Sequence, residues 1–226
     1  MKQKNRSMST QTLVLGAILT ALVVILQFLG AFIRFGPFSI SLVLIPIVIG
    51  SATCGVGVST WLGFVFGVVV LLSGDAAAFL VIDVVGTVLT VLIKGTAAGF
   101  VAGLTYRFIK IALDKFSARQ IGVMKRRYGL GDCCENAAFS YISRNNQYGA
   151  VLVSAIVCPI LNTGVFLLGC LLFFMGPVAE WASAAGFGED VGKYMILGLV
   201  GGNFLFELLF NVVLSPVIVR IVNAKK

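Results

Sequence analysis

The last apolar stretch of the chain, residues 194–219, is long enough to cross a lipid bilayer and contains one carboxylate, Glu207. Asn203 lies four residues before Glu207, and Asn211 lies four residues after it. Side chains at positions i and i+4 share a helical face, so the spacing predicts a single polar stripe. A carboxylate or an amide facing lipid is costly, so we expect this stripe to face a protein interior or a wet cavity. It either holds helices together or lines a ligand pocket.

Composition indicates a membrane protein. Hydrophobic residues make up 59% of the 226 residues and charged residues 12%, against roughly 25% charged residues in soluble domains. The composition therefore predicts one polytopic helical bundle. Histidine, the commonest general base and metal ligand, is absent, and the five cysteines have no paired spacing. We expect no catalytic residues, no metal and no cofactor.

Six apolar segments predict an all-α membrane protein with a bundle of six transmembrane helices. They are residues 13–33, 39–54, 56–73, 79–104, 149–175 and 193–219. The uncharged run 39–72 would be about 51 Å long as one helix, too long for a ~30 Å hydrocarbon core, so it should fold back at Gly55 and Gly57. Pro46 is expected to interrupt the first of the two resulting helices. The first apolar run lacks a small-residue cleavage site, so we expect it to be retained.

Small residues at spacings of four predict faces where helices approach closely. Two such faces occur in the third and fourth segments: Ser59, Gly63 and Gly67, and Gly95, Gly99 and Gly103. Ala17 and Ala21 form a similar pair on the first segment. That pair serves either internal packing or the approach of a helix from another protein.

The distribution of charge predicts the topology. Of 17 Lys and Arg residues, 14 lie in the N-terminal tail, in the segment 105–148 or at the C-terminal end, while four acids lie in the opposite loops. The positive-inside rule therefore places both termini in the cytoplasm. The segment 105–148 is predicted to be a basic cytoplasmic loop with a short amphipathic helix. Its charge is explained by topology and by attraction to anionic lipid, so no nucleic-acid partner is expected.

Depth in the membrane relates three polar residues on different helices. Lys94, Asn162 and Glu207 lie 15, 13 and 14 positions from the outer ends of their predicted helices. In straight helices this is about 20–22 Å, so we expect them to meet at one level. Lys94 and Glu207 form either a structural ion pair or contacts with a solute.

Several stretches resemble the substrate-binding (S) components of energy-coupling factor (ECF) vitamin transporters. They are Ala17-xxx-Ala21, the run from Phe35 to Ile47 (FGPFSISLVLIPI) and the glycine-rich helix from Gly55 to Gly67. The resemblance covers about residues 12–104 and 149–220. It implies a subunit of a bacterial plasma membrane that captures a vitamin from outside.

The resemblance also implies partners. Such a subunit docks onto a transmembrane coupling subunit that carries two cytoplasmic ATPases, and it topples to release its cargo inward. Accordingly, no Walker loop (GxxxxGK[ST]) occurs in this sequence. The resemblance places Ala17 and Ala21 against the coupling subunit. It places the pocket in the outer half, closed by loops at 34–38, 73–79 and 176–193.

The candidate pocket residues suit a compact polar acid. They are Arg34, Phe38, Lys94, Asn162, Thr163, Asn203 and Glu207. The cations would neutralise a carboxylate, while the amides and the hydroxyl would pair with amide or hydroxyl groups of the solute. Pantothenate fits this set, and the sequence is most similar to the pantothenate-like members. The aromatic-aspartate pattern of riboflavin members is replaced by Ser39-Ile-Ser41; folate or a queuosine precursor is an alternative.

Two other functions are compatible with a polytopic chain. An intramembrane enzyme would need a nucleophile with a base or a metal cluster, and neither HExxH nor GxSxG occurs. A stand-alone secondary transporter would show internal repeats with helices broken at corresponding places. Pro46 and Pro159 fall in the second and fifth segments, but the sequences around them are not alike.

Overall fold

The computed structural model describes residues 10–31, 34–35, 38–39, 42–129 and 132–224, and these are almost entirely helical. The helices are α1 (Thr10–Ala31), α2 (Leu44–Thr53), α3 (Val56–Leu72), α4 (Ala77–Leu80), α5 (Val84–Tyr128), α6 (Asp132–Phe173), α7 (Met175–Ala184), α8 (Val191–Lys193), a π-helical segment (Tyr194–Gly201) and α9 (Gly202–Ala224). The two-residue strands β1 (Arg34–Phe35) and β2 (Phe38–Ser39) pair antiparallel.

Four helical runs are long and apolar enough to cross a membrane: α1, α5, α6 and the run Val191–Arg220. This agrees with the predicted membrane class. The second predicted span is shorter than expected, because α2 has only 10 residues, or about 15 Å. Most of its residues are buried, so the lack of charge in this segment reflects protein packing around α2.

Pro46 does not interrupt α2, so that prediction was wrong, and Pro159 does not interrupt α6. Pro46 lies in the first turn of α2, where a backbone N–H has no intrahelical partner to lose. Pro159 lies inside α6, which continues on both sides of it. The broken helices that a stand-alone secondary transporter would show are therefore not found at these two positions.

The segment 105–148 is more ordered than a loop with one short helix. Its first part continues α5 to Tyr128, and its second part begins α6 at Asp132. Gly129 ends α5 in the left-handed conformation with φ of 64°, which glycine adopts without a steric penalty. The result is a long antiparallel hairpin of α5 and α6.

Polar contacts join the two arms of this hairpin. Lys110 pairs with Asp114 and donates hydrogen bonds to the carbonyl oxygen (3.1 Å) and Oγ (2.8 Å) of Ser143. Asn146 Nδ2 donates to Asp114 Oδ1 (2.9 Å) and to Ser117 Oγ (3.0 Å). Burial raises the pKa of Asp114, but the hydrogen bonds from Asn146 and Lys110 and the charge of Lys110 outweigh this effect, so its pKa lies below the ordinary value.

The predicted glycine faces of α3 and α5 pack directly against each other, which confirms the close-approach prediction. A Cβ atom on Gly63 would collide with the backbone oxygen of Gly95, and one on Gly99 would collide with that of Ser59. Glycine at positions 63 and 99 therefore allows this helix–helix distance. The contact fixes the position of α5, whose Lys94 is adjacent to Gly95.

Two apolar clusters build the interior. The larger one joins α1, α2, α3, α5, α6 and α9, with α2 among its most buried parts. The smaller one joins the α4 residue Phe79 to α6, α7 and the π-helical segment. Three phenylalanines of the smaller cluster line the polar cavity described next.

Candidate functional site

A small cavity lies where α3, α4, α5, α6 and α9 converge. Its volume is about 60 Å³. The residues that line it are Val70, Asp75, Ala76, Phe79, Thr87, Thr90, Val91, Lys94, Asn162, Phe166, Phe174, Asn203 and Glu207. Lys94, Asn162 and Glu207, which the sequence placed at one depth, therefore surround one space. Helix α5 begins at Val84 and not at residue 79, so Lys94 lies fewer residues from the start of its helix than predicted. The three residues nevertheless lie around the same cavity.

A second cavity of about 40 Å³ adjoins the first. Lys94, Asn162, Phe166 and Asn203 line both cavities. The second adds Thr163, so each predicted site residue on α5, α6 and α9 faces one of the two spaces. We call the two together the solute cavity.

Glu207 is the centre of a hydrogen-bond network and is only 1% exposed. Its Oε1 accepts from Asn203 Nδ2 (3.0 Å) and its Oε2 accepts from Asn162 Nδ2 (3.5 Å). Asn211 Nδ2 donates to the backbone oxygen of Glu207 (2.8 Å) and lines neither space. The polar stripe thus faces the protein interior as predicted, and it joins α9 to α6.

Lys94 contacts aromatic rings. Its Nζ lies 5.1 Å from the ring centre of Phe166 and 5.9 Å from that of Phe66. Such cation–π contacts stabilise a partly desolvated ammonium group. Lys94 and Glu207 line the same cavity, yet the salt bridges between described residues involve other lysines. Among the described residues, therefore, no salt bridge joins Lys94 to Glu207.

An aromatic wall closes one side of the solute cavity. The ring centre of Phe79 lies 5.6 Å from that of Phe166, 5.0 Å from that of Phe174 and 5.5 Å from that of Trp181, all edge to face. Sequence analysis did not assign these residues. The spacing of four between Asn162 and Phe166 is a signal that would have identified one of them.

The π-helical segment ends just before Asn203. It contributes Leu199 and Val200 to the second space. A π-helical turn holds more residues than an α-helical one, so it changes which side of the following helix faces the interior. The sequence carries no clear signal for this feature.

Asp75 lies in the loop 73–79, which was expected to close the pocket, and it lines the solute cavity. Gln27 on α1, which is 1% exposed, donates from Nε2 to Asp75 Oδ2 and to Ser73 Oγ (3.4 Å). A side chain of the first helix thus reaches the edge of the site.

The remaining predicted residues lie on the two short strands and on α1. Arg34 and Phe38 belong to β1 and β2, but their side chains lie outside the described part of the structure. Ala17 and Ala21 are both exposed on α1. Ala17 borders a groove of about 650 Å³ between α1 and α3, beside Gly57 and Trp61. Neither alanine is therefore buried by packing within the described part of the protein.

Metal ligands do not cluster among the side chains that the structure describes. The chain matches the family model of the ECF transporter substrate-specific component over residues 11–219. The match includes the hairpin segment, which the resemblance had left out. Neither the curated proteins nor the solved structures contain a match.

Proposed function

The chain belongs to the family of ECF transporter substrate-specific components, and we propose that it is the subunit that captures a small vitamin-like solute from outside the cell for ATP-driven uptake. Members of this family are binding subunits of transporters, not enzymes. The observation that carries the proposal is the buried solute cavity, which Lys94, Asn162, Asn203 and Glu207 line inside a bundle of apolar helices. Intramembrane polar groups of this kind mark substrate sites.

The topology belongs to the same proposal. Six spans with both termini in the cytoplasm would put the α5–α6 hairpin, with its many Lys and Arg residues, on the cytoplasmic side of a bacterial plasma membrane. The solute cavity would then lie toward the outer face, below α4 and α7. Solute would enter by displacement of these two elements.

Pantothenate is the solute we propose. Its carboxylate would meet Lys94, with Arg34 as a second cation, and its hydroxyl and amide groups would meet Asn162, Asn203 and Thr163. The cavity of about 60 Å³ is smaller than the ~150 Å³ cavity that holds benzene in another protein. Binding therefore requires the aromatic wall around Phe79 to move outward.

The partners we propose are a membrane coupling subunit and two ATPases. The exposed positions of Ala17 and Ala21 and the adjoining groove support docking of that subunit on α1. Small residues let two backbones approach and separate without stranding polar groups. Energy for uptake would come from the ATPases.

The test is to purify the chain from rich medium and identify co-purifying small molecules by mass spectrometry. Ligand-free protein is then titrated with pantothenate by calorimetry and reconstituted alone in liposomes. We expect bound pantothenate and no counterflow. Counterflow by the isolated chain would instead identify a stand-alone secondary transporter, and a lack of any bound or titratable solute would overturn solute capture.

A further inference from the structure

Two buried acceptors in the solute cavity have no hydrogen-bond partner among the described residues. The side-chain oxygens Oδ1 of Asn162 and Asn203 are buried, and neither has a hydrogen bond in the described part of the protein. The amide nitrogens of both residues donate to the Glu207 carboxylate. A carboxylate only accepts hydrogen bonds, so it fixes each amide with its nitrogen toward Glu207. The side-chain oxygen of each asparagine is therefore directed away from Glu207 and can accept a hydrogen bond from another group.

Lys94 offers hydrogen-bond donors instead of acceptors. An ammonium group has three donors and no acceptor. Among the described residues its contacts are aromatic rings, not hydrogen-bond acceptors. Thr90 Oγ1, which is also buried and without a hydrogen bond there, lines the same cavity. The cavity therefore has acceptors on the Glu207 side and a cationic donor at Lys94.

We propose that Glu207 is a positioning residue that sets the polarity of this site. By holding both amide nitrogens, it presents the carbonyl oxygens of Asn162 and Asn203 to the solute. The site then takes a solute that carries at least two O–H or N–H donors together with an anionic group for Lys94. This inference rests on the proposed capture of a solute, but it specifies the chemical class without depending on pantothenate itself.

The site should discriminate between solutes, because leaving these buried oxygens without a hydrogen bond costs binding free energy. An analogue that lacks a needed donor leaves a buried acceptor unsatisfied, and it should bind roughly 10- to 100-fold more weakly. Sites built to hydrogen-bond a polar group reject the analogue without it more strongly than apolar pockets reject a methylene.

Four small molecules test separately whether the solute needs hydrogen-bond donors and whether it needs an anionic group. Their affinities for the full-length protein in detergent are measured by calorimetry. Pantothenate has a carboxylate and three O–H or N–H donors. Panthenol keeps the donors without the charge, lipoate keeps the carboxylate without other donors, and thiamine carries a positive charge. We expect pantothenate to bind tightest, with panthenol and lipoate each at least 10-fold weaker and thiamine weaker still.

The variant Glu207→Gln tests the positioning role. A side-chain amide at this position holds only one of the two asparagine nitrogens and offers a competing donor, so one asparagine is free to turn. We expect pantothenate to bind about 10-fold more weakly and its preference over lipoate to shrink by a similar factor. A merely structural residue would change stability without changing this preference.

Asn211→Ala is the matched control. Asn211 is buried on the same helix and bonds to the backbone of Glu207, but it lines neither space. It should lower the unfolding temperature and leave the pantothenate-to-lipoate ratio unchanged. A ratio that Glu207→Gln leaves unchanged would overturn the positioning role.

The wild-type panel keeps the proposal falsifiable if Glu207→Gln does not fold. Lipoate or thiamine binding as tightly as pantothenate overturns the polarity but leaves solute capture intact. Panthenol binding as tightly as pantothenate removes the requirement for an anion. Binding of none of the four probes overturns the polarity, because pantothenate meets both of its requirements, whereas solute capture is decided separately by the search for co-purifying molecules.

Discussion

Gln27 on α1 donates a side-chain hydrogen bond to Asp75, a carboxylate that lines the solute cavity. The same helix exposes Ala17 and Ala21 on its outer face. One rigid element thus contacts the site at one position and presents the proposed docking surface at another. The bond also holds the turn after α3 close to α1, so its loss should affect both the fold and the edge of the cavity.

The variant Gln27→Leu should destabilise the protein. It removes the hydrogen bonds to Asp75 and Ser73 while nearly conserving side-chain size, and a hydrogen bond to a charged group contributes about 1.5–3 kcal/mol. Thermal unfolding in detergent measures the loss. Gln27→Glu should be more destabilising, because it places a second carboxylate beside Asp75. An unfolding temperature of Gln27→Leu equal to that of the wild type would show that this bond contributes nothing.

Substitution of Ala17 or Ala21 by Trp should abolish uptake in cells and leave pantothenate binding by the isolated protein intact. Both side chains are exposed, so the larger residue is tolerated by the fold but blocks close approach of a partner helix. Leu22→Trp is the control, since Leu22 is also exposed on α1 but lies about 140° around the helix from Ala17 and about 100° from Ala21. Normal uptake by the alanine variants would place the docking surface elsewhere.

A pair of glycine variants tests the crossing of α3 and α5. Gly63→Ala puts a methyl group against the backbone of Gly95, and we expect a loss of about 1–3 kcal/mol in the free energy of unfolding. Gly122→Ala lies in an open part of α5 and should stabilise the protein by roughly 0.5–1 kcal/mol. The two unfolding temperatures should therefore move in opposite directions. A shift in the same direction would contradict the close contact.

The helix-face rule and hydropathy predicted much of this architecture. The spacing of four around Glu207 identified the buried stripe, and depth counting brought Lys94 and Asn162 to it. Both signals depend only on the spacing of residues along one helix, so they hold without knowledge of how the helices pack. The bond between Gln27 and Asp75 and the position of Phe79 depend on how distant segments pack, so no local pattern reveals them. The hairpin was missed because the segment 105–148 is rich in Lys and Arg, and hydropathy assigns such a segment to a loop.

Acid should weaken the α5–α6 hairpin through Asp114. Its pKa is below the ordinary value, so the unfolded chain binds more protons than the folded one, and the contribution to stability is lost as the pH falls through the folded pKa. We expect the unfolding temperature to drop from pH 5 to pH 3, and to drop less in Asp114→Asn. Circular dichroism measures both. Equal drops in the two proteins would show that Asp114 is not responsible.

Lys94 and Glu207 allow the sharpest test of whether the two charges serve each other or a solute. Breaking a direct buried ion pair by a single substitution typically costs about 3–5 kcal/mol, and removal of both charges restores much of that loss. These residues share a cavity without a salt bridge between them. We therefore expect Lys94→Met with Glu207→Gln to recover much less stability than a direct pair would.

Pantothenate affinity should behave differently in the same three variants. Lys94→Met removes the cation for the carboxylate and should weaken binding roughly 10- to 100-fold, the effect of losing one well-made polar contact. The double variant should not bind better than Lys94→Met alone, because neither change replaces the missing cation. Unfolding temperature and calorimetric affinity are measured side by side in detergent. A double variant with wild-type affinity would mean that the two charges act only on each other and that the solute is held elsewhere.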